Sequence, residues 1–268
     1  MIQLPESWFE GRLPELPTVA DCATALREDA PRLRAITSRE PARDLEAGLF
    51  AALDGEAGHA VVGYPAEVPA TVAATLLAAW LGMPAEGVHD DVGGTVSHVV
   101  SGVGHRHDQA WHTDSTPWLL PNRYSVLGLL SAPGPQPEAT GVLPIRRLHT
   151  ALLDDPEALA ALRGEALPWR VNFPHLPQLW GAILDPAVPR WVRPAVDPLR
   201  DRMSPALARG VLRLEAALAG AVPWYEPATA PGRLVMFDNH RVMHRGPLLE
   251  QDSGRELIRI KIGGRAVR

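Results

Sequence analysis

Cysteine is all but absent. Cys22 stands alone among 268 residues, which excludes intrachain disulfides and any zinc site built from cysteine. It falls in a helical stretch with no neighbour to lower its thiol pKa, and reads as an inert residue of a surface helix. Lysine is as scarce: Lys261 is the only one, so every other member of the 26 basic residues is Arg. That bias belongs to GC-rich coding and carries no functional meaning. A net charge of −5 is the wrong balance for a nucleic-acid partner, whose binding surfaces are strongly basic. No long apolar run occurs. The most apolar stretch, 68–83, contains Pro69, Thr71 and Thr75 and is too short to span a bilayer. The first thirteen residues carry Glu6, Glu10 and Arg12 with no continuous apolar segment, so no secretory signal is read. Repeats, low-complexity tracts and linkers are missing too. Gly102-Val103-Gly104 has neither the third glycine nor the following helix of a dinucleotide loop. The expectation is a soluble cytoplasmic protein with no membrane partner.

An apolar content of 46% in a chain of this length is enough for a large core. One domain over 1–268 is expected, mainly helical over 1–87 and strand-rich with helical insertions over 88–268. Val19 to Leu53 has helical periodicity, and a second helix is predicted from about Ala66 to Leu81, closed by Gly82. Residues 95–100 and 124–130 read as strands. Ala151 to Leu162 and Ser204 to Ala219 read as helices, the latter opened by Ser204-Pro205. Arg233 to Phe237 and the strictly alternating Leu257 to Ile262 return to strand. Helices first and strands later define an α+β class, not a doubly wound sheet.

The chemistry begins at Trp111-His112-Thr113-Asp114. In extended chain a His and an Asp two residues apart point to the same side, where both can ligate one cation. A third ligand must come from elsewhere, and Asp238-Asn239-His240-Arg241-Val242-Met243-His244 offers His240 and His244. Two His and one carboxylate on one face of an octahedral metal leave three positions open, as in non-haem Fe(II) oxygenases. Catalytic zinc, tetrahedral with one open position, matches less well. Arg255 and Arg259 follow on the last strand, four residues and about 13 Å apart on one face. Two inward guanidinium groups call for anionic partners, and a diacid would supply them through forked N–H···O pairs. The Thr140 hydroxyl is placed to share the same carboxylate, or is simply a turn residue after a proline-rich loop.

Taken together, Trp111-His112-Thr113-Asp114, Thr140, the run Gly232 to His244 and Arg255 resemble the taurine dioxygenase-like and clavaminate synthase-like Fe(II)/2-oxoglutarate-dependent oxygenases. The resemblance covers about 108–148 and 231–259. It implies a double-stranded β-helix, or jelly roll, with flanking helices. It also implies that His112, Asp114 and His244 bind iron, leaving His240 in the connecting turn. Arg255, assisted by Thr140, would hold the distal carboxylate of 2-oxoglutarate, with Arg259 near substrate or cosubstrate. The implied activity is dioxygenase chemistry: O2 and 2-oxoglutarate are consumed, succinate and CO2 are released, and an unactivated carbon of a small polar metabolite is hydroxylated or desaturated. An amino acid or a natural-product intermediate is the expected substrate. The carboxylate of Asp114 argues against halogenation, which needs that position free. This chain departs from the family in having Arg233 where an Asp is usual, and in a short stretch between Thr140 and His244.

Asp108, Trp118 and His175 are read as substrate contacts, although Trp118 fits a core position equally well. His105 and His107 form an H-x-H pair, a pattern that can bind a metal but more often lines a cleft or bonds backbone, and neither is assigned as a ligand. Two other readings differ in what they require. A metal-dependent hydrolase or isomerase on the same scaffold would keep His112, Asp114 and His244 but would not need Arg255. A non-catalytic barrel binding a small acid would leave the metal site vestigial.

Overall fold

In a computed structural model of the chain, Thr18 opens the first helix with a reciprocal cap: its hydroxyl accepts from the Asp21 N–H, and the Asp21 carboxylate accepts from the Thr18 N–H. The structure describes residues 1–11, 13–38, 42–82, 95–100, 110–118, 120–132, 139–169, 179–221, 223, 225, 227–246 and 255–263. Gly102 to Asp108, with His105 and His107, and His175 lie outside the described residues.

The stretch 19–53, expected as one helical region, divides into α1 (Val19–Glu28), α2 (Ala30–Thr37) and α3 (Arg43–Asp54). Pro31 has no N–H to continue α1 and instead sits in the first turn of α2. Cys22 is fully buried and not on a surface, because α1 packs that side of its helix against the core. Burial raises its thiol pKa, so inertness holds for a different reason. The next helix, α4 (Ala70–Leu81), begins after Pro69 and is buried at every position. A helix apolar all round must be covered on all sides. Here α1 and α2 cover one side and a sheet the other.

The helix expected over 151–162 starts later, as α6 (Pro156–Gly164), where Asp155 caps it by accepting from the Ala158 N–H; α5 (Ile145–Ala151), which the sequence did not announce, precedes it. A short turn, α7 (Arg193–Val196), precedes α8 (Pro205–Ala219), whose Ser204 hydroxyl accepts from the Leu207 N–H as the sequence predicts.

The strands are β1 (Ile2–Gln3), β2 (His59–Gly63), β3 (Val96–Val100), β4 (Tyr124–Ser131), β5 (Gly141–Pro144), β6 (Leu167–Trp169), β7 (Leu179–Gly181), β8 (Arg233–Asp238), β9 (Val242–Arg245) and β10 (Glu256–Ile262). Six of them form one sheet in the order β1-β2-β8-β4-β10-β3, antiparallel except for β1 beside β2. β5 pairs with β9, and β6 with β7. Sequence periodicity missed β1, β2, β5, β6, β7 and β9, which have at most five residues each, too few to display a period of two.

The large sheet separates two environments. Tyr124, Val126, Leu234, Met236, Ile258, Ile260 and Ile262 join the core formed with α1–α4. Alternate residues Leu127, Val235 and Phe237 face the other way and pack with Val142 and Val242 of the β5–β9 pair. A further core joins α5, α6 and α8 to Leu143 and Met243 on the opposite face of that pair. Among the described residues no helix is long and apolar enough to cross a membrane.

The β5–β9 pair is seated partly by Gly58. Its φ is +63°, and a Cβ there would stand 2.5 Å from Cγ1 of Val242. Gly58→Ala is therefore expected to cost roughly 2–4 kcal/mol, from left-handed strain plus overpacking. The check is the urea midpoint; an unchanged midpoint would mean that β9 moves freely.

Candidate metal centre

β9 carries His244, and an isolated antiparallel bridge ties His244 to His112: each backbone N–H donates to the other's carbonyl at 3.0 Å. The two imidazoles thus stand side by side, ring centroids 4.1 Å apart. Three residues after His112 the chain turns sharply, with Ser115 at φ 56°, and Asp114 just before it enters the same space. His112, Asp114 and His244 each present one ligating atom, and these lie within 4.8 Å of one another. Nε2 of His244 is 3.9 Å from Oδ2 of Asp114, beyond hydrogen-bond range but with room for a cation between them. His240 is not in the cluster. Its Nε2–H donates to the Pro121 carbonyl.

The donors suit a divalent metal. Nδ1–H of His112 donates to the Ala110 carbonyl at 2.9 Å, which leaves the Nε2 lone pair for a ligand. Nδ1 of His244 is buried with no hydrogen-bond partner among the described residues. Burial first, and then His112 beside it, hold the His244 imidazole well below its ordinary pKa, and burial does the same for His112. Neutral imidazoles and an ionised carboxylate are the forms that ligate. For Asp114 burial acts to raise the pKa, but Arg259, Lys261 and the two histidines outweigh it and hold the carboxyl far below the usual range.

A buried polar frame sets Asp114 in place. Its Oδ1 accepts from Nη1 of Arg259 at 3.1 Å and its Oδ2 from the Ser125 hydroxyl at 2.7 Å. Asn239 brackets its backbone: Oδ1 accepts from the Asp114 N–H at 2.7 Å, and Nδ2 donates to the Asp114 and Asn122 carbonyls. Asn122 in turn donates to Ser125 Oγ and accepts from Ser115 Oγ. Arg190, almost wholly buried, donates to the carbonyls of Thr116 and Trp118 at 2.6 Å each and holds the turn that follows. The Phe237 ring lies 4.3 Å from that of His244. None of Asn239, Ser125, Asn122 or Arg190 was singled out from sequence. The available signals were a Ser inside an otherwise apolar buried strand and an Asn close before the last His.

The two arginines of the last strand meet different partners. Arg259 bonds Asp114 and, through Nε, the Ser97 hydroxyl on β3. Arg255, more deeply buried than Arg259, donates to the hydroxyl of Thr229 at 3.3 Å. Thr140 is buried, and its N–H bonds the Pro227 carbonyl, two residues before Thr229. Thr229 is a further residue that sequence reading missed. Trp118 is half-buried in the turn after Asp114, and Asp108 lies outside the described residues.

His240 supplies a pH signature apart from the cluster. Burial, and then Arg123, push its pKa down to about 4. Its unfolded value is near 6.5, so between these limits the unfolded chain binds one proton more, and stability is lost as pH falls. While the two states differ by that proton the folding constant changes about tenfold per pH unit. His240→Gln should flatten this part of the pH–stability curve, measured by urea unfolding between pH 7 and 4. A curve parallel to wild type would assign the dependence to other histidines.

No protein-family model matches the chain, and no curated protein sequence does either. Solved structures do match. Asparagine oxygenase in complex with Fe(II), 2S,3S-3-hydroxyasparagine and succinate superposes with a TM-score of 0.65 at 18% identity, covering 97% of this chain and 92% of that one. The non-heme iron oxygenase OrfP, in complex with Fe and L-canavanine, gives 0.61 at 18% identity, covering 98% and 93%. OrfP with Fe, succinate and (3S)-hydroxy-L-Arg gives 0.61 at 19%, covering 97% and 93%. The chain therefore has, over nearly its whole length, the fold of these non-heme iron oxygenases.

Proposed function

We propose that this protein is an Fe(II)- and 2-oxoglutarate-dependent oxygenase acting on a small polar metabolite, an amino acid or a molecule derived from one. The observation that carries the reading is the convergence of His112, Asp114 and His244 on one point, with Arg259 on the Asp114 carboxylate. On this reading the large sheet and the β5–β9 pair are the two walls of a double-stranded β-helix, and the chain is one catalytic domain. The fold likeness to enzymes crystallised with Fe and hydroxylated amino acids supports both the reaction and the substrate class.

His112, Asp114 and His244 would hold the metal, which when bound supplies the oxidising chemistry that couples 2-oxoglutarate decarboxylation to attack on an unactivated carbon. The chain's own residues do the rest. Asn239 fixes the Asp114 backbone, Ser125 and Arg259 orient its carboxylate, and Arg259 with Lys261 keeps it ionised. Phe237, Val235 and Leu127 supply an apolar floor that keeps water from the reacting side. Arg255, near the Thr140 segment, receives the distal carboxylate of 2-oxoglutarate, and Trp118 stands at the edge where the substrate enters. A hydrolase is less well supported, since it has no use for a buried Arg255.

Succinate should form from 2-oxoglutarate under air with Fe(II) and ascorbate, and its formation should accelerate with the true substrate. The anaerobic Fe(II)–2-oxoglutarate protein should show a weak visible absorption band. Absence of both the band and any metal-dependent succinate sinks the reading.

A further inference from the structure

Lys261 is the only lysine of the chain, and 4% of it is exposed. On β10, Ile258, Ile260 and Ile262 join the helix-side core. Leu257, Arg259 and Lys261 therefore share the opposite face, where Arg259 reaches Asp114. The register places Lys261 opposite Ser125 on β4, and Ser125 opposite Phe237 on β8. Ser125 bonds Asp114 and Phe237 packs on His244, so this row of the sheet underlies the cluster. Arg259 lies one step along, opposite Leu127. The Lys261 charge acts on Asp114, His112 and His244 alike.

Arg259 has Asp114 and Ser97 as partners. The Lys261 ammonium has no side-chain hydrogen bond or ion pair among the described residues. An ammonium carries three donors, and burying it without an anion is costly. On this face, among the described residues, Arg259 and Lys261 share the single carboxylate of Asp114. A bound divalent metal would increase the positive excess. Burial lowers the Lys261 pKa to about 8. A point charge, and not the planar fork of the arginines, suits a single carboxylate oxygen, and the register sets it beside Ser125.

The geometry points to Lys261 as an anion anchor whose ammonium receives a carboxylate of the small molecule bound at the His112–Asp114–His244 cluster. The chemistry is that of a small carboxylic acid, and two sources offer it: the 2-oxo acid cosubstrate and an amino-acid substrate. The identity of those sources rests on the oxygenase reading; the anion site does not.

A single lysine makes the test direct, because protein grown on lysine carbon-13-labelled at Cε has one side-chain signal. The labelled protein, metal-free and loaded with redox-inert Zn(II), is titrated in separate arms with 2-oxoglutarate, with L-asparagine and L-arginine, and with glycerol as a neutral control. A saturable shift of the Lys261 signal is expected in a carboxylate arm and not with glycerol, and the responding arm names the source. Lys261→Met should raise that ligand's dissociation constant at least 10-fold, with Lys261→Arg recovering part. No response to any carboxylate, or an unchanged constant in Lys261→Met, overturns the anchor. Should Lys261→Met not fold, protection of the wild-type lysine from reductive methylation by the responding ligand, with the α-amine as internal reference, decides in its place; absence of protection overturns the anchor. The anaerobic Fe(II) band of wild type is read separately. A normal band with a silent Lys261 overturns this inference alone, whereas a responsive Lys261 in protein that never shows the band overturns the oxygenase reading and leaves the anchor standing.

Discussion

Asp114→Asn should lose Fe(II) binding by at least roughly 100-fold, since even partners that merely orient ligands are worth about 10–100-fold in affinity. The substitution keeps the shape and removes the charge. Its second consequence follows from the frame around Asp114. Arg259 and Lys261 would be left facing a neutral amide in a site where the carboxylate is 5% exposed. Removing one partner of a buried ion pair costs about 3–5 kcal/mol, so the metal-free variant should also unfold at lower urea. Wild-type stability in the absence of metal therefore depends on the same carboxylate that would ligate it. Metal content after dialysis and the unfolding midpoint are the two measurements. A variant that retains stoichiometric iron at wild-type affinity would remove Asp114 from the ligand set.

Arg255→Ala is the second large effect. A guanidinium–carboxylate pair in a poorly hydrated pocket is worth about 2–5 kcal/mol when one partner is deleted. That corresponds to about 30-fold or more in the apparent 2-oxoglutarate constant. Arg255→Lys should recover only part, because the planar fork is lost. Arg259→Ala should act differently, since its Nη1 is bonded to Asp114: it should loosen the metal ligand and uncouple turnover more than it weakens cosubstrate binding. Anaerobic titration of 2-oxoglutarate into the Fe(II) forms of both variants checks the division. If Arg259→Ala abolishes binding and Arg255→Ala leaves it intact, the two roles are reversed.

The last strand shows how much local pattern can carry. Strict alternation over 257–262 marks a strand with one apolar face, and the structure has β10 there with Ile258, Ile260 and Ile262 in the core. The same alternation set Arg259 and Lys261 on the opposite face, yet only Arg259 was given a role. A lysine is common on solvated faces, and nothing local says that this face is covered. The H-x-D spacing likewise brought His112 and Asp114 together, although they sit in a bridge and a turn and not in a regular strand. Helix breaks at Asp29–Pro31 and at Leu152–Asp155 were legible in Pro31, Asp155 and Pro156. Periodicity simply runs across such breaks when the same face stays buried.

What the sequence determined by itself was therefore what depends on neighbours along the chain: caps, strand alternation, the ligand types and the spacing of His112 and Asp114. Tertiary structure alone decided which groups from distant segments share one small space. Asn239 bonding the backbone of Asp114, Ser125 beneath its carboxylate, Thr229 against Arg255 and the buried row holding Lys261 all depend on strand order and register. Those are set by burying one face of each strand against another element, a non-local free energy that leaves no fixed spacing in the chain.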